Sequence, residues 1–310
     1  MKIYKPKFWD KKFSFFSIIL FPLSFIFFIF VFLRKKLTKP TSFKIPIICV
    51  GNIYIGGTGK TPTSILLANE FSKMGDKPAL IRKYYKNHED EYGMIRENFK
   101  ELIINRNRID SLSEAEKNNF NMAILDDGLQ DYKIKKNANI VCFNSNQLIG
   151  NGFVLPSGPL RENLSTLKDS DIVIINGSTN KEFEEQILGV NSKLKIFYSN
   201  YKPMNLKQFE NKKLLALAGI GNPDNFFKLL EENNLKIEKK IIFPDHYKFS
   251  KNEIQNILSK AKKLDLEVIM TEKDFFKINK FNLGAVGYLK VILEIKEIKK
   301  LISEIRKLYD

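Results

Sequence analysis

The sequence predicts an α/β protein: a mainly parallel sheet domain, a smaller C-terminal α/β domain, and a membrane helix at the N-terminus. Three observations carry this. A 21-residue stretch without a charge, Phe13 to Leu33, lies near the start of the chain. Short apolar runs recur with helix-like segments between them, the pattern of a parallel sheet covered on both faces. The first of those runs leads into Gly51-Asn52-Ile53-Tyr54-Ile55-Gly56-Gly57-Thr58-Gly59-Lys60-Thr61-Pro62. A strand, a glycine-rich turn and a helix opening on Gly-Lys-Thr form the layout of a P-loop NTPase-like domain.

Taken in order, Phe13 to Leu33 is long enough at about 1.5 Å per residue to match a hydrocarbon core of about 30 Å. Only Ser14, Ser17, Pro22 and Ser24 interrupt its Phe/Ile/Leu/Val content, and Lys11, Lys12 and Arg34, Lys35, Lys36 flank it. No small-residue cleavage site precedes Arg34, which argues against a signal peptide. Pro22 leaves a re-entrant or interfacial helix open, and basic residues on both sides leave the orientation open. Residues 1–36 are read as a membrane anchor. A polar linker, Leu37 to Phe43, leads to a strand at Ile45–Val50 and a helix at Pro62–Met74, with Gly75 as its stop. Further strands are expected at Ala79–Ile81, Leu102–Ile104, Met122–Leu125, Asn139–Phe143 and Asp171–Ile175. A polar connection, Asn200–Lys212, separates a second block with strands at Leu214–Ala218, Lys240–Phe243 and Glu267–Met270 and a basic amphipathic helix at Ile298–Leu308. The expected domains are 37–205, holding the P-loop, and 206–310, closing a cleft over it.

Charge narrows the partners. Of 310 residues, 51 are Lys or Arg and 35 are Asp or Glu, a formal charge of +16. So basic a chain meets nucleic acid or an anionic membrane surface. No basic–aromatic stacking platform supports nucleic acid, and the anchor assigns the charge to lipid headgroups. Cys49 and Cys142 lie in apolar runs without metal or disulfide spacing and read as small buried hydrophobes.

The glycine-rich turn supplies the first candidate site. Glycines let backbone N–H groups approach phosphate oxygens, and the helix start adds free donors. Gly56, Gly57, Thr58, Gly59, Lys60 and Thr61 are the candidate nucleotide-binding residues, with Lys60 reaching the β- and γ-phosphates and the Thr61 hydroxyl ligating Mg²⁺. The usual pattern has a glycine where this chain has Tyr54. In Ala123-Ile124-Leu125-Asp126-Asp127-Gly128, a strand runs into paired acids, the place of a metal-holding carboxylate. One of Asp126 and Asp127 is expected to coordinate metal while the other positions Lys60 or a water. His246, in Phe243-Pro244-Asp245-His246-Tyr247, suits a group that swings in from a second domain. The run Glu89-Asp90-Glu91, read as a loop, offers bases for an acceptor hydroxyl, although composition alone makes it a solvated acidic run. Thr271-Glu272-Lys273-Asp274 has its lysine misplaced for a guanine reader; it either lines the cleft or caps a helix.

Together, Gly51-Asn52, Gly56 through Pro62, Asp126-Asp127-Gly128-Leu129-Gln130, Asn151-Gly152, Leu155 through Glu162, Gly219 through Pro223, Phe243 through His246 and Thr271 through Asp274 resemble the tetraacyldisaccharide 4'-kinases, the lipid A 4'-kinase family. The motifs appear in the family's order, and the resemblance runs from the anchor to about residue 275. It implies a bacterial inner-membrane enzyme with its catalytic domains on the cytoplasmic side. Such an enzyme moves the γ-phosphate of ATP, with Mg²⁺, to the 4'-hydroxyl of a tetraacylated glucosamine disaccharide 1-phosphate. The partners implied are that lipid and membrane phospholipids, with no obligatory protein partner. Carried over residue by residue, the resemblance makes Asp90 the catalytic base, His246 its partner, Asp126 and Asp127 the metal-binding acids, and Arg161 and Glu162 neighbours of the nucleotide.

The chain departs from the family pattern at Ile81-Arg82-Lys83-Tyr84-Tyr85, where Ser-Arg-Gly-Tyr-Gly is usual. Asp131 stands where a histidine is usual, and Glu89 where a glycine is. The alternative reading is a membrane-tethered P-loop ATPase that switches or assembles a partner protein. It shares Lys60 and the acid pair but gives no reason for the Phe-Pro-Asp-His or Gly-Pro-Leu-Arg-Glu segments.

Overall fold

The computed structural model describes residues 6–86, 88–245, 247–284 and 286–309, with Asp90 described in its backbone only. In chain order the elements are α1 (Phe15–Leu37), β1 (Ile47–Gly51), α2 (Lys60–Lys73), β2 (Pro78–Lys83), α3 (Glu89–Asn98), β3 (Leu102–Asn105), α4 (Arg108–Lys117), β4 (Met122–Asp126), β5 (Ala138–Asn144), β6 (Ile172–Asn176), α5 (Lys181–Val190) and β7 (Lys195–Pro203). They continue with β8 (Lys213–Ala218), α6 (Pro223–Glu232), β9 (Lys236–Ile242), α7 (Lys251–Lys263), β10 (Glu267–Thr271), α8 (Glu272–Ile278), β11 (Val286–Leu289), β12 (Val291–Ile295) and α9 (Ile298–Arg306). The chain forms two compact units. Among the described residues the larger comprises 6–85, 98–200 and 293–309, the smaller 86, 88–97 and 201–292 without 246 and 285.

An eight-stranded sheet of order β12-β7-β6-β5-β1-β4-β2-β3 organises the larger unit. Its pairings from β3 across to β7 are parallel. Strand β1, Ile-Ile-Cys-Val-Gly, is buried along its whole length, as a central strand covered on both faces must be. Leu67, Ala68 and Phe71 of α2 are fully buried, so the helix that follows the glycine-rich turn presents its apolar side to the core. Both cysteines are buried and free, packed as the apolar residues the sequence made them.

The smaller unit holds a four-stranded sheet of order β11-β10-β8-β9, parallel throughout. Strand β8 shows why its run is apolar at every position. Leu214, Ala216 and Ala218 enter one core cluster with Phe226 and Leu230 of α6. Leu215 and Leu217 enter the other, with Ile254 of α7 and Val268 and Met270 of β10. Alternation at period two serves both faces of a covered strand.

Several elements differ from expectation. The acidic run from Glu89, read as a loop, is the first turn of α3. The predicted polar connection begins inside strand β7, and β11 and β12 were not foreseen. Asp90 and His246 were expected in different domains; His246 lies outside the described residues, and residues 88–97, 201–245 and 247–284 fall in one unit. Helix α1 is displaced towards Leu37, and its serines are not interruptions. Ser17 and Ser24, two turns apart on one side of the helix, are both 2% exposed. The Ser24 hydroxyl donates to Val154 O at 3.0 Å and lies 2.8 Å from Ser157 Oγ, and Ser157 N donates to it at 2.9 Å. Asn151 Nδ2 donates to Ser17 Oγ at 3.1 Å. The aromatic and aliphatic residues around this polar stripe, Phe15, Phe16, Ile18, Ile26 and Phe30 among them, remain exposed.

Candidate active site

Strand order places the chemistry of the larger unit. Register sets Val50 of β1 and Arg82 of β2 on either side of Asp126 of β4. All three lie near the carboxyl ends of parallel strands, where open α/β sheets bind ligands. From β1 the chain turns into α2 through Gly59, whose φ of +89° is in the left-handed region glycine favours. The turn is internally braced: Asn52, fully buried, donates to Thr58 Oγ1 at 2.9 Å, and Thr63 donates from its hydroxyl to Gly59 O at 2.8 Å. Tyr54, at the missing glycine, is 1% exposed and packs in the main core. It forms an antiparallel bridge with Leu160, while Ile55 N donates to Pro159 O and Arg161 N to Ile53 O. This position is a core anchor that pins the segment ending at Arg161 beside the loop.

The two acids hold different partners. Asp126, fully buried, accepts from the Thr61 hydroxyl at 2.9 Å and from the Arg82 guanidinium, which also donates to Thr61 Oγ1 at 3.0 Å. Asp127, in the left-handed region at φ +56°, lies 3.8 Å from Lys60 Nζ and 3.0 Å from Arg161 Nη1. Burial pushes the Asp127 carboxyl up, but the Lys60 and Arg161 charges outweigh it and hold it below the usual aspartate range. Burial lowers Lys60, only partly opposed by Asp127. Lys60 therefore sits in a dry site, where a polyphosphate is a better counter-charge than water. Glu162, 4% exposed, accepts from Gln130 Nε2 at 2.8 Å and from the Thr166 hydroxyl at 3.1 Å. Gln130 also donates to Asn52 O at 2.9 Å, so Glu162 is tied to the glycine-rich turn through that amide. The structure thus brings Lys60, Thr61, Asp126, Asp127 and Arg161 together, where the turn carrying Gly56, Gly57, Thr58 and Gly59 leads into α2.

Two residues of this cluster were not assigned from sequence. Arg82 joins Thr61 and Asp126. Arg108, 5% exposed, donates to the carbonyl oxygens of Asp126 and Asp127 at 3.1 and 2.8 Å and fixes the turn between them. A buried arginine inside or next to an apolar run, as Arg82 is after Leu80-Ile81, is the signal that could have found the first.

In the smaller unit, His246 lies outside the described residues, as does the side chain of Asp90. Their chain neighbours are described. Lys273 Nζ lies 2.7 Å from Glu91 Oε1 and 3.2 Å from Asp245 Oδ1. Burial would lower this lysine, but the Asp245 and Glu91 charges outweigh it and raise it above the ordinary value. The helix-cap reading of its segment holds: Thr271 Oγ1 accepts from Asp274 N at 3.1 Å at the start of α8. Asp274 in turn accepts from Gly219 N at 2.7 Å.

The sequence matches the family described as LpxK, tetraacyldisaccharide-1-P 4'-kinase, over residues 16–309. The chain belongs to the tetraacyldisaccharide 4'-kinase family. A tetraacyldisaccharide 4'-kinase of Pelagibacter ubique (strain HTCC1062) is 42% identical over 312 residues, covering 99% of each chain. One from Francisella philomiragia is 34% identical over 90% of this chain and 95% of its own. The crystal structure of an Aquifex aeolicus LpxK in complex with ATP superposes with a TM-score of 0.70, covering 95% of this chain and 99% of that one. At 20% identity it establishes that the fold is shared.

Proposed function

We propose that this chain carries out the reaction its family is named for: transfer of the γ-phosphoryl group of ATP to the 4'-hydroxyl of a tetraacylated glucosamine disaccharide 1-phosphate. The observation that carries the reading is the Lys60–Asp127–Arg161 cluster on a glycine-rich turn, next to the Thr61–Asp126 pair. Backbone N–H groups of Gly56 to Gly59 and the Lys60 ammonium bind the triphosphate and neutralise charge on the transferring group. Asp127, itself held by Arg161, keeps Lys60 in place until nucleotide arrives.

The donor set next to Lys60 fits Mg²⁺. Thr61 Oγ1 and Asp126 Oδ2 are hard oxygens 2.9 Å apart. Mg²⁺ is usually held by one or two carboxylates together with substrate phosphates and waters rather than by an all-protein cage. Thr61 and Asp126 would hold the ion, which supplies further positive charge to the phosphate oxygens when bound. Asp90, oriented by His246, accepts the proton of the sugar hydroxyl.

Helix α1 attaches the enzyme to a bacterial inner membrane from its cytoplasmic side. It is long and apolar enough to cross a bilayer by length and composition. Its bonds to residues 151–157 at Ser17 and Ser24 favour an interfacial placement. Spanning would carry the polar backbone of that segment into hydrocarbon, where unpaired groups cost several kcal/mol each. The exposed Phe and Ile side chains would then lie among acyl chains, beside the lipid substrate's own.

Incubation with γ-labelled ATP and tetraacyldisaccharide 1-phosphate tests the reaction. Label is expected in the lipid fraction and lost with Lys60→Ala. Label released only as inorganic phosphate would favour a P-loop ATPase and overturn the kinase reading.

A further inference from the structure

Lys273 has no part in the chemistry derived so far, yet it is placed as only a connecting residue could be. Its side chain is 18% exposed, and its ammonium spans two carboxylates from distant parts of the chain, Glu91 at 2.7 Å and Asp245 at 3.2 Å. Each of those acids is the immediate chain neighbour of a proposed reacting residue: Glu91 follows Asp90, and Asp245 precedes His246. Glu91 is also 3.0 Å from His88 Nδ1, so the first turn of α3 is held from two sides. The lysine itself is fixed at the start of α8, where Thr271 caps the helix and Asp274 anchors to Gly219 N. Helix α3 meets α8 at a second point: a side chain at Gly93 would lie 3.5 Å from the Phe276 ring. Two acids drawn to one largely covered ammonium hold their two chain segments to a common point on α8.

We propose that Lys273 is a positioning residue for phosphoryl transfer, clamping the segments that carry Asp90 and His246 so that the base and its partner are held together before substrate arrives. This rests on the assignment of Asp90 and His246 above. The clamp residues Glu91, Asp245 and Lys273 lie within one unit. It also gives the Thr271-Glu272-Lys273-Asp274 segment a chemical reason beyond capping a helix.

The test is a double-mutant cycle on full-length enzyme with lipid substrate, using Lys273→Met, Asp90→Asn and the combination. Lys273→Met is expected to lower kcat on the order of a hundredfold, the effect of misplacing a reacting group by about an ångström. KM for ATP should stay unchanged, because the glycine-rich turn is not involved. In the Asp90→Asn background Lys273→Met should cost nothing further, since it acts through a base already removed. A loss that multiplies in that background, or one that falls on KM for ATP, overturns the inference while leaving the base assignment standing. Near wild-type turnover of Asp90→Asn overturns the base assignment and the inference with it. Should Lys273→Met not be recovered folded, Glu91→Gln combined with Asp245→Asn removes the clamp from its other side and enters the same cycle, with the same outcomes deciding it.

Discussion

Replacing Asp127 by asparagine should make the enzyme bind ATP more tightly while making it less stable and slower. Asp127 lies 3.8 Å from Lys60 and 3.0 Å from Arg161. At an effective dielectric constant of about 20 the two attractions are about 4 and about 5.5 kcal/mol before desolvation. The Asp127 side chain keeps 28% of its exposure, so screening and the cost of drying three ions cancel most of this. A net loss of about 2 kcal/mol lies between the ranges for surface and buried pairs. For a chain of 310 residues that lowers Tm by roughly 3 °C. The Asp127 carboxyl is depressed in the folded protein, so its contribution is complete above the pKa of an unfolded aspartate, about 3.9, and is lost as pH falls through the lower folded value. The wild-type advantage should therefore be full at pH 7 and close at acid pH. Without divalent cation the carboxylate also repels the triphosphate, and its removal should tighten ATP binding on the order of tenfold, about 1.4 kcal/mol. Calorimetric titration of ATP in EDTA measures this, alongside melting curves at pH 7 and at about pH 2, below the unfolded value. Weaker or unchanged binding, with an unchanged Tm, would refute the role given to Asp127.

Three further outcomes follow from the same geometry. Arg82→Met leaves the fully buried Asp126 without its guanidinium and should cost about 3 kcal/mol, read as a lower Tm that Mg²⁺ with ATP partly restores. Ser24→Ala strands Ser157 N, while Val154 O keeps its bond from Gly158 N, and should cost about 1–3 kcal/mol; hydrogen exchange at the Ser157 amide should accelerate, and unchanged protection would count against the docked helix. Replacing Phe15, Ile26 and Phe30, exposed at 72%, 63% and 63%, by serine should release the enzyme from anionic liposomes. At roughly 1.5 kcal/mol for each buried side chain the partition coefficient should fall about a thousandfold, and a variant that still floats with the vesicles would contradict the interfacial placement.

What the sequence disclosed depended on how local the cause was. The glycine-rich turn, Thr61 and the paired acids were legible because strand, turn and helix follow one another directly. The strand Leu214–Ala218 was legible because a strand covered on both faces must be apolar throughout. Arg82 was not, because its partner Asp126 is 44 residues away and only the β2–β4 pairing brings them together. Helix α3 was hidden by charge at its start and by Gly93 within it, and tertiary contacts to Lys273 and Phe276 outweigh that weak propensity. Ser17 and Ser24 looked like flaws in a membrane span, since hydropathy counts polar residues without asking what they bond to.

The central claim is that phosphate is delivered to one particular hydroxyl of the lipid. Phosphorus NMR of the isolated lipid product, correlated to the sugar protons, tests it most directly. Wild-type enzyme should form a second phosphomonoester, coupled to the proton at the 4' position, that is absent with Lys60→Ala. A product whose only phosphate remains at position 1, with ATP consumed, would contradict it, as would a new phosphate on any other hydroxyl.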